Sequence, residues 1–147
     1  FRSIDVGVYF FSQAITEKEA VEEAKMTIAM LGDYDITYPV AYDWEFVTTD
    51  KARTDKISVD MLTKCAVAFC DTIAEAGFKP MVYQNKRTSL FKLGLPDIAP
   101  YDFWLAEYGD EPTYYYNYDI WQYTDKGSIP GIEGDVDLNI CFTNYNK

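Results

Sequence analysis

The sequence predicts an α/β fold in which a largely parallel β-sheet is covered by helices. Segments rich in β-branched and aromatic residues alternate along the chain with segments whose apolar residues have helical spacing. The predicted strands are almost continuously apolar, which is typical of parallel strands buried on both faces. With 147 residues, 48% of them hydrophobic, and neither a repeat nor a linker, the chain is expected to form a single domain over residues 1–147.

Six segments have the composition of strands, being rich in Val, Ile, Phe, Tyr and Trp. They are residues 4–11, 38–45, 79–83, 102–108, 119–124 and 135–142. A turn-prone stretch at residues 127–131 precedes the last strand, and the tyrosine-rich residues 114–118 are expected to form a loop or an edge. Because short loops join the later strands, the helical layer should thin toward the C-terminus.

Two segments predict long helices, and a third predicts a short one. Thr16 and Glu19 form a capping-box pattern that opens a helix continuing to about residue 31. Apolar residues recur with helical spacing between Ser58 and Gly77, where a second helix should end. A short helix is predicted around residues 89–93.

Composition excludes several classes of function. The net charge of −11 would repel a nucleic acid, and no run of apolar residues is long enough to span a membrane. The absence of His excludes a Ser-His-Asp or Cys-His hydrolase and any His-ligated zinc site. Acid–base chemistry must therefore come from carboxylates, Tyr or Lys. The aromatic content of 17% suits a groove that stacks on sugars, although most aromatic residues should lie in the core.

The three cysteines predict neither a disulfide nor a metal site. Cys65 and Cys70 lie five residues apart on a predicted helix and so point to different faces. No CxxC pair or metal-ligand spacing occurs. We expect these two residues and Cys141 to be small buried apolar residues, and we predict no metal and no cofactor.

Asp43 and Glu45 are the main candidates for a chemical site. Two residues apart on a strand, their side chains point to the same face, near the strand end where α/β barrels place active sites. Two neighbouring carboxylates repel each other, so the pKa of one is raised. Glycoside hydrolysis needs this division between a protonated acid and an ionised carboxylate. Taken alone, however, such a triplet is more often a solvated turn or half of a salt bridge.

Six short motifs place this pair in a wider context. In chain order they are GVYFFS at residues 7–12, YPVAYDWE at 38–45, GFKPMVYQN at 77–85, WLAEY at 104–108, IWQYT at 120–124 and GDVDLN at 134–139. The series resembles glycoside hydrolase family 25, the cell-wall lysozymes that cut peptidoglycan between N-acetylmuramic acid and N-acetylglucosamine. Each motif is weak by itself, but six in order over essentially the whole chain are specific.

The resemblance implies a flattened (β/α) barrel of the TIM type and assigns roles to individual residues. Glu45 matches the proton donor, and Asp43 matches the carboxylate that orients the substrate's 2-acetamido group. Asp137 matches a further acid of the site, although an Asp that ties down a turn is an equal alternative. The aromatic residues that would form the sugar groove, each as readily a core residue, are Tyr9, Phe11, Tyr83, Tyr108 and Trp121. The Tyr83 hydroxyl could also bind the acetamido group.

The implied activity is that of a muramidase that acts on the glycan strands of peptidoglycan without metal or cofactor. The implied location is outside the cell or in the cell wall, reached by secretion or, for a phage protein, by lysis. Two alternatives stay open: a non-catalytic wall-binding fragment and a chitinase-like hydrolase of amino sugars. The longer acidic signature of chitinases, in which further Asp residues stand ahead of the DxE triplet, does not occur here and disfavours the chitinase-like enzyme.

The sequence also departs from the family pattern at its start. Family members open with a strand that bears an Asp of the acidic site, whereas this chain begins at what resembles their third strand. Residues 1–3 contain no initiator Met, which suggests a processed or truncated end. We therefore expect an incomplete barrel of about six strands, whose open edge favours self-association. The resemblance thus predicts the activity of a longer parent protein more firmly than the activity of these 147 residues.

Overall fold

The computed structural model describes residues 4–47 and 51–145, and it contains all six predicted strands. The strands are β1 (Val8–Phe11), β2 (Val40–Asp43), β3 (Pro80–Asn85), β4 (Asp102–Ala106), β5 (Ile120–Gly127) and β6 (Val136–Cys141). The first strand begins four residues later than predicted. Residues 1–3, on which the expectation of a processed end rests, lie outside the described residues.

The helices are α1 (Glu17–Leu31), α2 (Val59–Glu75), α3 (Lys86–Lys92) and α4 (Leu95–Ile98). The first two begin where their capping residues predict, since Thr16 accepts a hydrogen bond from the Glu19 amide and Ser58 accepts one from the Met61 amide. Gly32, with a positive φ of 51°, ends α1. The short α4, which follows Gly94, was not predicted. None of these helices combines the length and apolar character needed to cross a membrane.

The six strands form one sheet in chain order, β1-β2-β3-β4-β5-β6. The first five strands are parallel, and β6 runs antiparallel to β5. In the described residues β1 pairs only with β2 and β6 only with β5, so the sheet does not close. The predicted α/β fold with an incomplete barrel is therefore confirmed. Self-association through the free edge of β1 stays a prediction.

Each face of the sheet has its own apolar cluster. On one face, Val40 and Tyr42 of β2 belong to the large core that includes residues of α1 and α2. On the opposite, concave face, Ala41 packs with Met81 and Tyr83 of the neighbouring strand. Successive residues of a strand alternate between faces. The side chain that follows Ala41 on the concave side is therefore that of Asp43.

The prediction for the cysteines was correct for two of the three. The structure describes all three as free thiols, and Cys65 and Cys70 are fully buried in α2. Cys141 is only half-buried, because it lies on β6, which is an edge strand of the sheet among the described residues. Its thiol donates a hydrogen bond to the backbone oxygen of Thr143 at 3.0 Å.

Candidate active site

The three predicted acidic residues meet in one pocket of about 80 Å³ on the concave face, toward the carboxyl ends of the parallel strands. Asp43 is the last residue of β2, and Glu45 follows two residues later. Asp137 comes from the start of β6. Since β6 is antiparallel to β5, its first residues lie beside the carboxyl end of β5. The chain reversal thus brings an acid from near the C-terminus to the Asp43–Glu45 pair.

Trp44 holds the two carboxylates of the triplet on the same side. Its side chain is almost fully buried in the helix-side core, so Asp43 and Glu45 on either side of it face the pocket. Its backbone oxygen accepts a hydrogen bond from the side-chain amide of buried Gln84 on β3. Asp43 is 5% exposed, whereas Glu45 is half-buried at the mouth of the pocket.

Both carboxyl groups of the triplet hold their protons more strongly than usual. Burial, followed by the charge of Glu45, raises the pKa of Asp43 to about 7. Burial, followed by the charge of Asp137, raises the pKa of Glu45. Among the described residues, no group hydrogen-bonds the buried Oδ1 of Asp43. The site therefore retains a proton at a pH where ordinary carboxylates have lost theirs, which a general acid requires.

This raised pKa predicts an effect of pH on stability. The folded chain binds the Asp43 proton more tightly than the unfolded chain does, so wild-type stability falls as the pH rises from 3.8 to about 7. Asp43→Asn removes this ionisation. We expect the variant to gain about 4 kcal/mol relative to wild type between pH 4 and pH 8. Chemical denaturation at both pH values measures it. Asp110→Asn, at an exposed position, serves as the control. If the stability difference between Asp43→Asn and wild type were the same at pH 4 and pH 8, the raised pKa of Asp43 would be contradicted.

Three of the predicted groove residues lie in or beside the pocket. Tyr9 and Tyr83 line it, and each makes an edge contact with the ring of Trp104. The Tyr83 hydroxyl donates to Oε1 of Gln122 at 2.9 Å, and the Tyr108 hydroxyl donates to the same atom at 3.1 Å. The hydroxyl proton of Tyr83 is thus already engaged. Its oxygen can still accept a hydrogen bond from a substrate.

Phe11 and Trp121 are not among the residues that line the pocket. Phe11 is partly exposed on the edge strand β1, beside Asp43 in the register. Trp121 is 7% exposed in the helix-side core, and its indole N–H donates to the backbone oxygen of Glu107 at 2.8 Å. Its predicted place in the groove is corrected, because neighbouring residues of a strand face opposite sides and Gln122 takes the concave position.

Sequence reasoning missed two residues of the pocket, Trp104 and Gln122. Trp104 pairs with Tyr83 in the register, and its indole N–H donates to Asn139 at 2.8 Å. Gln122 is 2% exposed and pairs with Ala106. Each lies in a predicted strand that belongs to one of the six motifs. The alternation of side chains along those strands was therefore a signal that could have pointed to them. Alternation alone does not say which of two neighbouring residues faces the pocket. That depends on how the strands pair, and the motifs contain no information on pairing.

Glu107, directly after β4, anchors the loop that carries Tyr108. Its carboxylate accepts hydrogen bonds from the backbone amides of Thr113 and Tyr114 at 2.9 and 3.0 Å, and it pairs with Lys86 at 3.1 Å. The predicted loop at residues 114–118 is confirmed, with the Tyr114 ring stacked on Phe103. These contacts hold the chain beside Gln122 on the rim of the pocket.

A larger cavity of about 490 Å³ adjoins the acidic pocket and shares Tyr9 and Trp104 with it. Its lining is mainly apolar and contains no carboxylate, so the acid–base chemistry is confined to the smaller pocket. Over the described ranges, no three His, Cys, Asp or Glu side chains are grouped so that they could hold a metal ion.

Comparison with known proteins connects this geometry to one family. The model of the family described as "Glycosyl hydrolases family 25" matches residues 2–132. The D-alanyl-L-alanine endopeptidase of Streptococcus phage B30 is 29% identical over 147 residues, which cover 90% of this chain and 31% of that protein. The autolytic lysozyme of Clostridium acetobutylicum is 32% identical over 84 residues, covering 56% of this chain and 25% of that protein.

Among solved structures, the modular autolysin LytC from Streptococcus pneumoniae, in complex with a synthetic peptidoglycan ligand, superposes with a TM-score of 0.76. It is 32% identical, and the match covers 92% of this chain and 33% of the autolysin. The chain therefore spans about a third or less of the length of each of these three proteins.

Proposed function

Because the chain belongs to the glycosyl hydrolases family 25, we propose that it hydrolyses the β-1,4 bond between N-acetylmuramic acid and N-acetylglucosamine in peptidoglycan. The observation that carries this proposal is the convergence of Asp43, Glu45 and Asp137 in one aromatic-lined pocket. The raised pKa values of Asp43 and Glu45 support it, since glycoside cleavage needs a carboxylic acid that holds its proton more strongly than an ordinary carboxyl group.

We assign the role of general acid to Glu45. It lies at the mouth of the pocket, where its carboxyl group can reach the oxygen between two sugars of a bound strand. Its raised pKa keeps the proton available for transfer to that oxygen as the glycosidic bond breaks. The charge of Asp137 contributes to this elevation, which gives the third acid a part in the chemistry.

Asp43 is suited to orient the substrate's own acetamido group. Its Oδ1, buried and without a hydrogen-bond partner among the described residues, can accept the acetamido N–H. The acetamido carbonyl oxygen would then form a bond to the anomeric carbon while the protonated leaving sugar departs. Water adds to the anomeric carbon, loses a proton to Glu45 and releases the acetamido oxygen, which restores the free enzyme. Positive charge developing on the acetamido group favours ionised Asp43.

The reaction products test this function directly. The chain is incubated with purified peptidoglycan, and new reducing ends are quantified and identified by mass spectrometry. We expect reducing N-acetylmuramic acid. Retention on peptidoglycan without new reducing ends would instead indicate a wall-binding module, and equal cleavage of chitin oligosaccharides would indicate a chitinase-like enzyme. New amino termini would indicate a peptidase, for which the chain has no Cys-His pair because it contains no His.

The same proposal extends to where the chain acts and what it binds. We propose that residues 1–147 act as one catalytic-type domain on the glycan strands of a bacterial cell wall, reached by secretion or by lysis. The relatives named as an autolytic lysozyme and a modular autolysin support a wall location.

A further inference from the structure

Positive charge is concentrated in two segments of this acidic chain. Residues 46–57, which follow β2, and residues 86–92, which form α3 after β3, contain six of the 13 Lys and Arg residues. The same segments contain only two of the 24 Asp and Glu residues. Both segments follow parallel strands at their carboxyl ends, where the acidic pocket lies. Arg53 and Lys86 are already paired with Glu19 and Glu107, so among the described residues of α3 the cations without an ion-pair partner are Arg87 and Lys92.

A groove of about 480 Å³ lies between these segments. Its lining, here named the rim groove, consists of Phe46, Asn85, Arg87, Thr88, Phe91 and Lys92. None of these side chains is acidic. Among the described residues Arg87 has no ion-pair partner, and the Lys92 ammonium lies 5.6 Å from the centre of the Phe46 ring. The rim groove thus offers two cations beside two partly or largely exposed aromatic rings, those of Phe46 and Phe91.

The rim groove is close to the acidic pocket. Phe46 directly follows Glu45, so their Cα atoms are about 3.8 Å apart, and alternation places the two side chains on opposite sides of the chain. A ligand that crosses the rim at this point can occupy both sites. An extended peptide of five residues spans about 17 Å, several times the Cα separation of Glu45 and Phe46.

We infer that the rim groove binds the carboxylate-bearing peptide stem that substitutes the lactyl group of N-acetylmuramic acid. The inference rests on the proposed function, because a glycan held at Glu45 carries its stem away from the sugar ring. The stem's free carboxylates match Arg87 and Lys92, and its methyl and methylene groups match the rings of Phe46 and Phe91. An anionic wall polymer would match the charges but would have no link to the sugar bound at Glu45.

Direct binding tests this inference without turnover. A synthetic stem pentapeptide with two free carboxylates is titrated onto the isotope-labelled chain and followed by NMR. We expect shifts at the rim groove and a dissociation constant about three- to tenfold higher in the Arg87→Gln/Lys92→Gln double variant. The Lys18→Gln/Lys25→Gln variant removes two exposed charges from α1 and should bind like wild type. Equal binding of a doubly amidated peptide, or no change in the first variant, would overturn the inference.

A hydrolysis experiment separates this inference from the proposed function. Glycan strands with stems and strands stripped by an amidase are compared as substrates. The Arg87→Gln/Lys92→Gln variant should lose about three- to tenfold in kcat/KM on stem-bearing strands alone, and the loss should shrink in high salt. If the variant loses the same factor in kcat/KM on both substrates, stem recognition is refuted, while the proposed hydrolytic function still stands. If wild type binds the peptide through Arg87 but cleaves neither substrate, the proposed function fails and the groove assignment stands.

Discussion

Glu45→Gln is expected to lower the rate of peptidoglycan hydrolysis about 10²- to 10⁴-fold, the range that general acid catalysis contributes. Gln has nearly the same shape as Glu but carries no proton that it can transfer to the leaving sugar. The side chain is half-buried, and within the part of the chain that the structure describes it makes no hydrogen bond. Initial rates of reducing-end release from purified walls measure the effect. Binding to the same walls should change little.

The control for this variant is Glu111→Gln, which changes the same charge on an exposed loop residue. It should keep wild-type activity. A Glu45→Gln chain that retained more than about a tenth of the wild-type rate would remove Glu45 from the role of proton donor. If its wall binding were lost as well, Glu45 would act mainly in holding the substrate.

The largest effect on stability is expected for Phe69→Ala, which should lower the free energy of unfolding by about 3–5 kcal/mol. Phe69 lies in α2 with 0% exposure. Its ring centre is 5.4 Å from that of Tyr42 on β2 and 6.2 Å from that of Phe10 on β1. The side chain therefore joins the second helix to two strands, and truncation leaves a cavity that a rigid sheet cannot fill.

Chemical denaturation measures this loss, with Phe91→Ala as the matched control. Phe91 is 71% exposed on α3, so the same truncation there should change stability by no more than about 0.5 kcal/mol. Because Tyr42 directly precedes Asp43, Phe69→Ala should also reduce activity at temperatures where the chain is still folded. A loss below about 1 kcal/mol would mean that the helix-side core is loosely packed around α2.

Local sequence patterns were sufficient for the strands, for every helix except α4 and for part of the site. The capping residues Thr16 and Ser58 mark the starts of α1 and α2 because their side chains satisfy free amides in the first turn. The two-residue spacing of Asp43 and Glu45 places both carboxylates on one face whatever the rest of the fold does. The six motifs predicted the family, which the match over residues 2–132 confirms.

Other features could be decided only by the pairing of the strands. Alternation says that Trp121 and Gln122 face opposite sides but not which of them faces the pocket, and the β4–β5 register places Gln122 there. The antiparallel direction of β6 is not encoded in its composition, yet it brings Asp137 to Glu45.

The sequence by itself therefore determined the six strands, three of the four helices and which carboxylates share a face, since caps and alternation act over a few residues. Only the tertiary structure decided which face is concave, which aromatic rings are buried and how strongly Asp43 holds its proton. Strand register, burial and the distance between charges depend on contacts between residues far apart in the chain, and a local pattern does not contain them.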